Sequence, residues 1–109
     1  MARRRSHRRQ PIDILFNKYL RGHPFLCRGV DLSPDGMRVR SFTEPDSGDE
    51  SFSIELRLPG DDESLWVWAR SVWRTGGEQA ITFLAMADAD RERLNRYVRE
   101  GLQGNPSPP

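Results

Sequence analysis

The sequence is poor in the residues that build cross-links. Its 109 residues include one cysteine, Cys27, and two histidines, His7 and His23. A single cysteine excludes an internal disulfide framework and a multi-cysteine zinc site, and two histidines far apart form no ligand cluster. We therefore expect no metal site, a reducing, cytoplasmic setting and a core in which Cys27 packs as a small apolar residue.

Long apolar runs are missing as well. No stretch approaches the roughly 20 apolar residues that cross a bilayer, and the basic start MARRRSHRRQP lacks the apolar segment of a secretory signal. We therefore expect no membrane insertion. The residue sets of nucleophilic enzymes and the glycine-rich loops that cradle phosphates are also absent, so we expect neither an enzyme nor a cofactor.

Basic residues are almost all arginine, and they are unevenly placed. Lys18 is the only lysine, and five of the 17 basic residues stand at positions 3, 4, 5, 8 and 9, which leaves 12 basic against 16 acidic residues elsewhere. The chain thus combines an acidic body with a cationic N-terminal arm. Residues 1–10 hold too few apolar side chains to bury, so we expect the arm to be flexible.

The body of the chain has the alternation of β-strands. Turn residues separate the segments, and Ser33-Pro34-Asp35-Gly36 is the strongest turn signal. Regular spacing of short strands is typical of a small barrel or sandwich. The predicted strands are 12–20, 24–31, 37–42, 52–58, 65–74 and 79–86.

The last predicted element is a helix. Asp88 or Asp90 can cap it, and its core face is predicted to hold Leu94, Tyr97, Val98 and Leu102. We therefore divide the chain into an arm at 1–10, a barrel with its helix at 11–103 and a disordered tail at 104–109.

Two local motifs concern function. The arm contains R-x-x-x-R at Arg5 and Arg9, and again at Arg4 and Arg8, while D-x-S-x-x-G follows at Asp31, Ser33 and Gly36. Either motif alone is weak, since an arginine-rich arm is typical of polyanion binding and the second motif also describes a simple hairpin turn. In this order and spacing, the two motifs resemble the PilZ domain, a bacterial receptor module for cyclic di-GMP.

The resemblance implies a fold and a set of ligand contacts. The fold would be all-β with a C-terminal helix, a six-stranded antiparallel barrel whose arm wraps over it when the ligand arrives. The implied cyclic di-GMP site consists of Arg4, Arg5, Arg8, Arg9, Asp31, Ser33, Gly36 and Trp73.

The chemistry of these side chains suits that ligand. An arginine fork can bind guanine O6 and N7 or a phosphate oxygen, and a carboxylate such as Asp31 accepts from the guanine N1–H and amine. Ser33 adds a small donor and acceptor, while Gly36 permits a close backbone approach or a positive φ. Trp73 is predicted to stack on a guanine or to pack, whereas Trp66 and Trp68 are expected to pack in the core or on the barrel surface.

Two alternatives to a cyclic di-GMP receptor remain open. One is a small barrel that binds RNA or DNA through its basic arm, against which the acidic body argues. The other is a PilZ-like adaptor that binds only protein. In the favoured reading, ligand binding changes the conformation of the arm and signals to an unidentified downstream protein of motility, polysaccharide export or transcription.

Overall fold

Six strands and one helix make up the described part of the chain. The computed structural model describes residues 9–41 and 51–104. The predicted all-β fold with a C-terminal helix is confirmed, and β1 begins at Gln10, one residue before the predicted barrel boundary. The elements are β1 (Gln10–Leu20), β2 (His23–Ser33), β3 (Gly36–Ser41), β4 (Ser51–Leu56), β5 (Leu65–Thr75), β6 (Glu78–Met86) and α1 (Asp88–Gly104).

The strands close into an antiparallel barrel. Their order around the barrel is β1-β2-β3-β6-β5-β4, and β1 returns to pair with β4 through Asn17 and Glu55. Because side chains alternate along a strand, each strand sends one set inward and the other outward. In β4, Phe52 and Ile54 are buried inside the barrel, while Ser53 between them faces outward.

The helix covers part of the core. Leu94 and Val98 are fully buried against it and Tyr97 is partly buried, as the helical spacing predicts, whereas the Leu102 side chain lies outside the described residues. Arg93 joins α1 to the turn after β4, because its guanidinium donates to Asp61 at 2.9 Å and to the Glu63 carbonyl at 2.6 Å. It also donates to Asp90 within α1 at 3.0 Å. Among the described residues, no helix is long and apolar enough to cross a membrane.

A lysine lies inside the barrel, at a position for which no burial was predicted. Lys18 is completely buried, and its ammonium donates to Gln79 Oε1 at 2.8 Å and stands 4.4 Å from the centre of the Phe52 ring. Gln79 in turn donates to Ser71 Oγ at 3.0 Å. Hydrogen bonding to the charged group offsets the cost of taking it out of water, so this position is a polar part of the core.

Several predictions about single residues can be compared with the fold. Cys27 is fully buried, as expected. Trp66 and Trp68 lie on the outer surface, half exposed, and Trp66 packs against Tyr19 with ring centres 5.5 Å apart. The arm at 1–10 is described only for Arg9 and Gln10, and of the tail at 104–109 only the backbone of Gly104 is described.

Candidate functional site

Asp31 is the centre of the candidate site, on the outer wall of the barrel. Irregular pairing occurs on both sides of it, between Gly29 and Asp31 against β3 and between Pro11 and Ile14 in β1. Such bulges change the direction of a side chain relative to a regular strand and are frequent beside binding sites. The Asp31 side chain is only 19% exposed, although it faces outward.

Two arginines flank the Asp31 carboxylate. Arg9, the residue just before β1, donates a hydrogen bond to Asp31 Oδ1 at 2.6 Å. Arg38 on β3 has its Nε 3.9 Å from Asp31 Oδ2. The first distance is that of a charge-assisted hydrogen bond, and the second is an ion pair without one. The arginine of one sequence motif and the carboxylate of the other, 22 residues apart, therefore meet in the fold.

Ser33 shapes the turn that follows Asp31. Its hydroxyl accepts from the backbone N–H groups of Asp35 at 3.3 Å and Gly36 at 3.1 Å, and its Oγ lies 3.3 Å from the Gly36 carbonyl. The residue is 2% exposed. The structure thus gives Ser33 a role within the turn, and its contact with a ligand stays a prediction.

Gly36 begins β3 at a point where two strands approach closely. A Cβ added there would overlap the carbonyl oxygen of Ile81 on β6. Gly36 does not have a positive φ. A glycine is therefore required here by the close approach of the two strands and not by a left-handed backbone conformation. The turn is also tied to β6, because the Asp35 carbonyl accepts from the Phe83 N–H at 2.8 Å and from Thr82 Oγ1 at 3.1 Å.

Cross-strand pairing aligns the site residues in one row. Asp31 pairs with Arg38, Arg38 with Ala80 and Ala80 with Trp73, so the row crosses β2, β3, β6 and β5. We call these four residues the site row. A bulge between Ser71 and Trp73 sets the register at its far end, where Trp73 is 41% exposed. Indole and carboxylate therefore both lie on the outside of the barrel, three strands apart along the row.

The structure brings together part of the predicted site. Arg9 and Asp31 are in contact, and Ser33 and Gly36 form the turn beside them, while Trp73 lies on the outside of the barrel three strands from Asp31. Arg4, Arg5 and Arg8 lie outside the described residues, and their contacts stay predictions. Within residues 9–41 and 51–104, no group of three or more histidine, cysteine, aspartate or glutamate side chains is placed to hold a metal ion.

Arg38 was not predicted, although the sequence held a signal for it. The two-residue turn Pro34-Asp35 sets Ser33 opposite Gly36, and counting back along both strands places Arg38 opposite Asp31. The alternation of β3 also places Arg38 on the polar face. The surface thus offers one acceptor between two guanidinium groups, with an aromatic ring at the end of the row.

Comparison with known proteins gives one family and several structures. The family model described as PilZ domain matches residues 2–100. The comparison with curated proteins finds no significant match. Among solved structures, the PilZ domain of CeSA from a cellulose-synthesizing bacterium is similar with a TM-score of 0.65 and 23% identity, over 88% of this chain and 98% of that one.

Two further solved structures have a similar fold. The PilZ domain with c-di-GMP of YcgR from Escherichia coli matches 89% of this chain and 90% of its own, with a TM-score of 0.65 and 19% identity. The Bacillus subtilis inhibitor of motility, MotI/DgrA, matches 90% of this chain with a TM-score of 0.72 and 15% identity. This chain covers only 50% of the MotI/DgrA chain.

Proposed function

The chain belongs to the PilZ domain family, and on this basis we propose that it is a cytoplasmic receptor for cyclic di-GMP that performs no chemistry of its own. One observation supports this proposal most strongly. The Arg9 guanidinium and the Asp31 carboxylate, each in one of the two sequence motifs, meet at 2.6 Å on the barrel surface. The solved YcgR domain, with the same fold, holds c-di-GMP.

Ligand binding would exchange partners at Asp31. The carboxylate accepts from Arg9 in the structure, and it has the chemistry to accept from a guanine N1–H and exocyclic amine instead. Arg9 would then be released to donate to a phosphodiester oxygen or to the guanine O6 and N7 atoms. Asp31 would exchange a hydrogen bond from Arg9 for hydrogen bonds from guanine, and Arg9 would exchange Asp31 for the ligand. Neither charged group would therefore lose its hydrogen bonds.

The arm would carry the response to binding. Cyclic di-GMP is doubly anionic, and the proposed contacts of Arg4, Arg5 and Arg8 with it would fix residues 1–10 against the barrel. Ordering a segment on binding typically costs about 2–5 kcal/mol of the interaction energy. The ordered arm would present a new surface to a downstream protein, for which we propose the machinery of motility, polysaccharide export or transcription.

Calorimetric titration tests the proposed function directly. Wild-type protein should bind cyclic di-GMP in preference to GTP and cyclic di-AMP. Arg9→Ala and Asp31→Ala should each weaken binding at least about tenfold, since hydrogen bonds of charged groups are worth roughly 1.5–3 kcal/mol.

Matched controls separate the site from the general charge of the protein. Arg96→Ala removes an exposed arginine of α1, and Asp62→Ala removes an exposed aspartate of the turn after β4. Both should bind the ligand as the wild type does. Absence of binding by the wild type would refute the function, and unchanged affinity in Arg9→Ala or Asp31→Ala would refute the site.

A further inference from the structure

We infer that Arg38 is a ligand-binding residue that reads the guanine edge together with Asp31. The inference rests on the proposed function and adds a residue outside both sequence motifs. It comes from the site row, in which Arg38 and Ala80 lie between Asp31 and Trp73.

Strand spacing determines what a ligand on this surface must cross. Neighbouring strands lie about 4.8 Å apart, so Asp31 and Trp73, three strands apart, are separated by roughly 14 Å along the row. A ligand that contacts the carboxylate and extends along the row toward the indole therefore lies over Arg38 first. Ala80 contributes only a methyl group to the row, which leaves space above the barrel wall between the side chains of Arg38 and Trp73.

The hydrogen-bonding capacity of Arg38 is largely unused by the described residues. Its side chain is 48% exposed, and its ion pair with Asp31 spans 3.9 Å, too long for a hydrogen bond. Arg40, two residues further on the same face of β3, instead donates to Glu78 Oε2 at 2.9 Å. Of these two similar arginines, Arg38 is thus the one whose guanidinium is available to a ligand.

The pairing of acid and base matches one edge of guanine. That edge carries the amine, the N1–H and the O6 acceptor side by side, so a carboxylate can take the first two while an adjacent guanidinium donates to O6. Asp31 and Arg38 stand next to each other across one strand spacing. Adenine places an amine donor where guanine has O6, and an arginine cannot accept from it. Arg38 would therefore favour guanine over adenine.

Calorimetry on two arginine variants tests the inference. Arg38→Ala should weaken cyclic di-GMP binding at least about tenfold, the loss expected for a hydrogen bond of a charged group. Arg40→Ala, the matched control on the same strand face, should stay within about twofold of the wild type, because surface substitutions away from the site change free energies little. Thermal unfolding of both variants checks that the barrel is intact.

Competition with cyclic di-AMP tests the reading of guanine. The ratio of the cyclic di-AMP and cyclic di-GMP dissociation constants should fall in Arg38→Ala, because only the guanine contact is lost. Equal weakening of both dinucleotides, or unchanged cyclic di-GMP affinity, would overturn the inference while the proposed function stands. A wild type that does not bind cyclic di-GMP would refute the proposed function and this inference with it.

Discussion

At the scale of single residues, Gly36 matters because the backbone of β6 passes directly beside it at the candidate site. Any side chain there would meet the Ile81 carbonyl, which belongs to β6 and cannot turn aside as a side chain can. We predict that Gly36→Ala destabilises the barrel by roughly 1–3 kcal/mol, the usual cost of overpacking. Urea unfolding measures the loss. Gly60→Ala, whose strain comes from its positive φ and not from a neighbouring atom, serves for comparison.

Unchanged stability of Gly36→Ala would contradict this prediction. If Gly36→Ala unfolds at the wild-type urea concentration, β3 and β6 do not approach as closely as the structure has them. The position would then owe its glycine to the ligand and not to the fold, and titration with cyclic di-GMP would show the loss instead.

The two tyrosines of the chain give a prediction about pH. Burial raises the pKa of Tyr19 above 10, as do the hydrogen bond that its hydroxyl donates to Glu55 at 3.1 Å and the charge of that carboxylate. Burial also raises the pKa of Tyr97. Since these are the only tyrosines, the phenolate absorbance of the folded protein should develop above pH 10. Glu55→Gln should lower the pKa of Tyr19, so that the part of the phenolate absorbance due to Tyr19 develops at lower pH.

The sign of the effect on stability follows from the same shifts. The folded state holds both phenolic protons more tightly than the unfolded state, so this stabilisation is complete below about pH 10 and is lost as the pH rises through the raised pKa values. The protein unfolded in urea provides the reference titration near pH 10. Half-ionisation at or below pH 10 in the folded protein would contradict the partial burial of both rings.

At the scale of elements, α1 is held to the barrel mainly by its apolar face. Leu94 is completely buried in the common core. We predict that Leu94→Ala costs roughly 2–5 kcal/mol of unfolding free energy, because it removes buried methyl groups and leaves a cavity. Urea denaturation followed by circular dichroism measures this loss. Arg96→Ala, on the exposed side of the same helix, should change the free energy by less than about 0.5 kcal/mol.

The opposite result would change the explanation of how α1 is attached to the barrel. If Leu94→Ala is as stable as Arg96→Ala, then the barrel does not need α1 to cover its core. The contacts of Arg93 with Asp61 and the Glu63 carbonyl would then be the main attachment of the helix.

The elements were largely predictable from the sequence because each strand alternates and each connection contains turn residues. Lys18 was not, although Ile14 and Phe16 show that every second residue of β1 points inward. A lone lysine suggests a solvated position, and its partner Gln79 is 61 residues away in sequence. The sequence therefore told which way the side chain points, but not what would compensate its charge.

The site was predictable in a different way. Its motif residues came from a family resemblance, and their meeting on the barrel wall depends on pairing across strands that the motifs do not describe. The turn at Pro34-Asp35 implied the register that sets Arg38 beside Asp31. Trp73 could not be placed on the same row, since a bulge in β5 determines its register and no residue pattern announced that bulge.

At the scale of the whole molecule, the barrel carries its proposed ligand site on the outside. Among the residues that the structure describes, eighteen apolar side chains are buried, together with Lys18, Ser33 and Gln79. The outer wall instead combines the site row with the half-exposed Trp66 and Trp68 near the opposite end of β5. Binding at the row would leave the packed interior unchanged, so the response should be confined to the arm and the wall.

Closure of the sheet has a consequence for any downstream protein. Each of the six described strands has a hydrogen-bonded neighbour on both sides over part of its length, and three residue pairs, from Asn17–Glu55 to Tyr19–Ser53, join β1 to β4. A binding partner therefore finds no described strand that is unpaired along a whole edge, the feature by which open sheets capture extended segments. Recognition of the paired wall would instead depend on shape and side-chain chemistry, so it would be open to control by whatever covers or uncovers that wall.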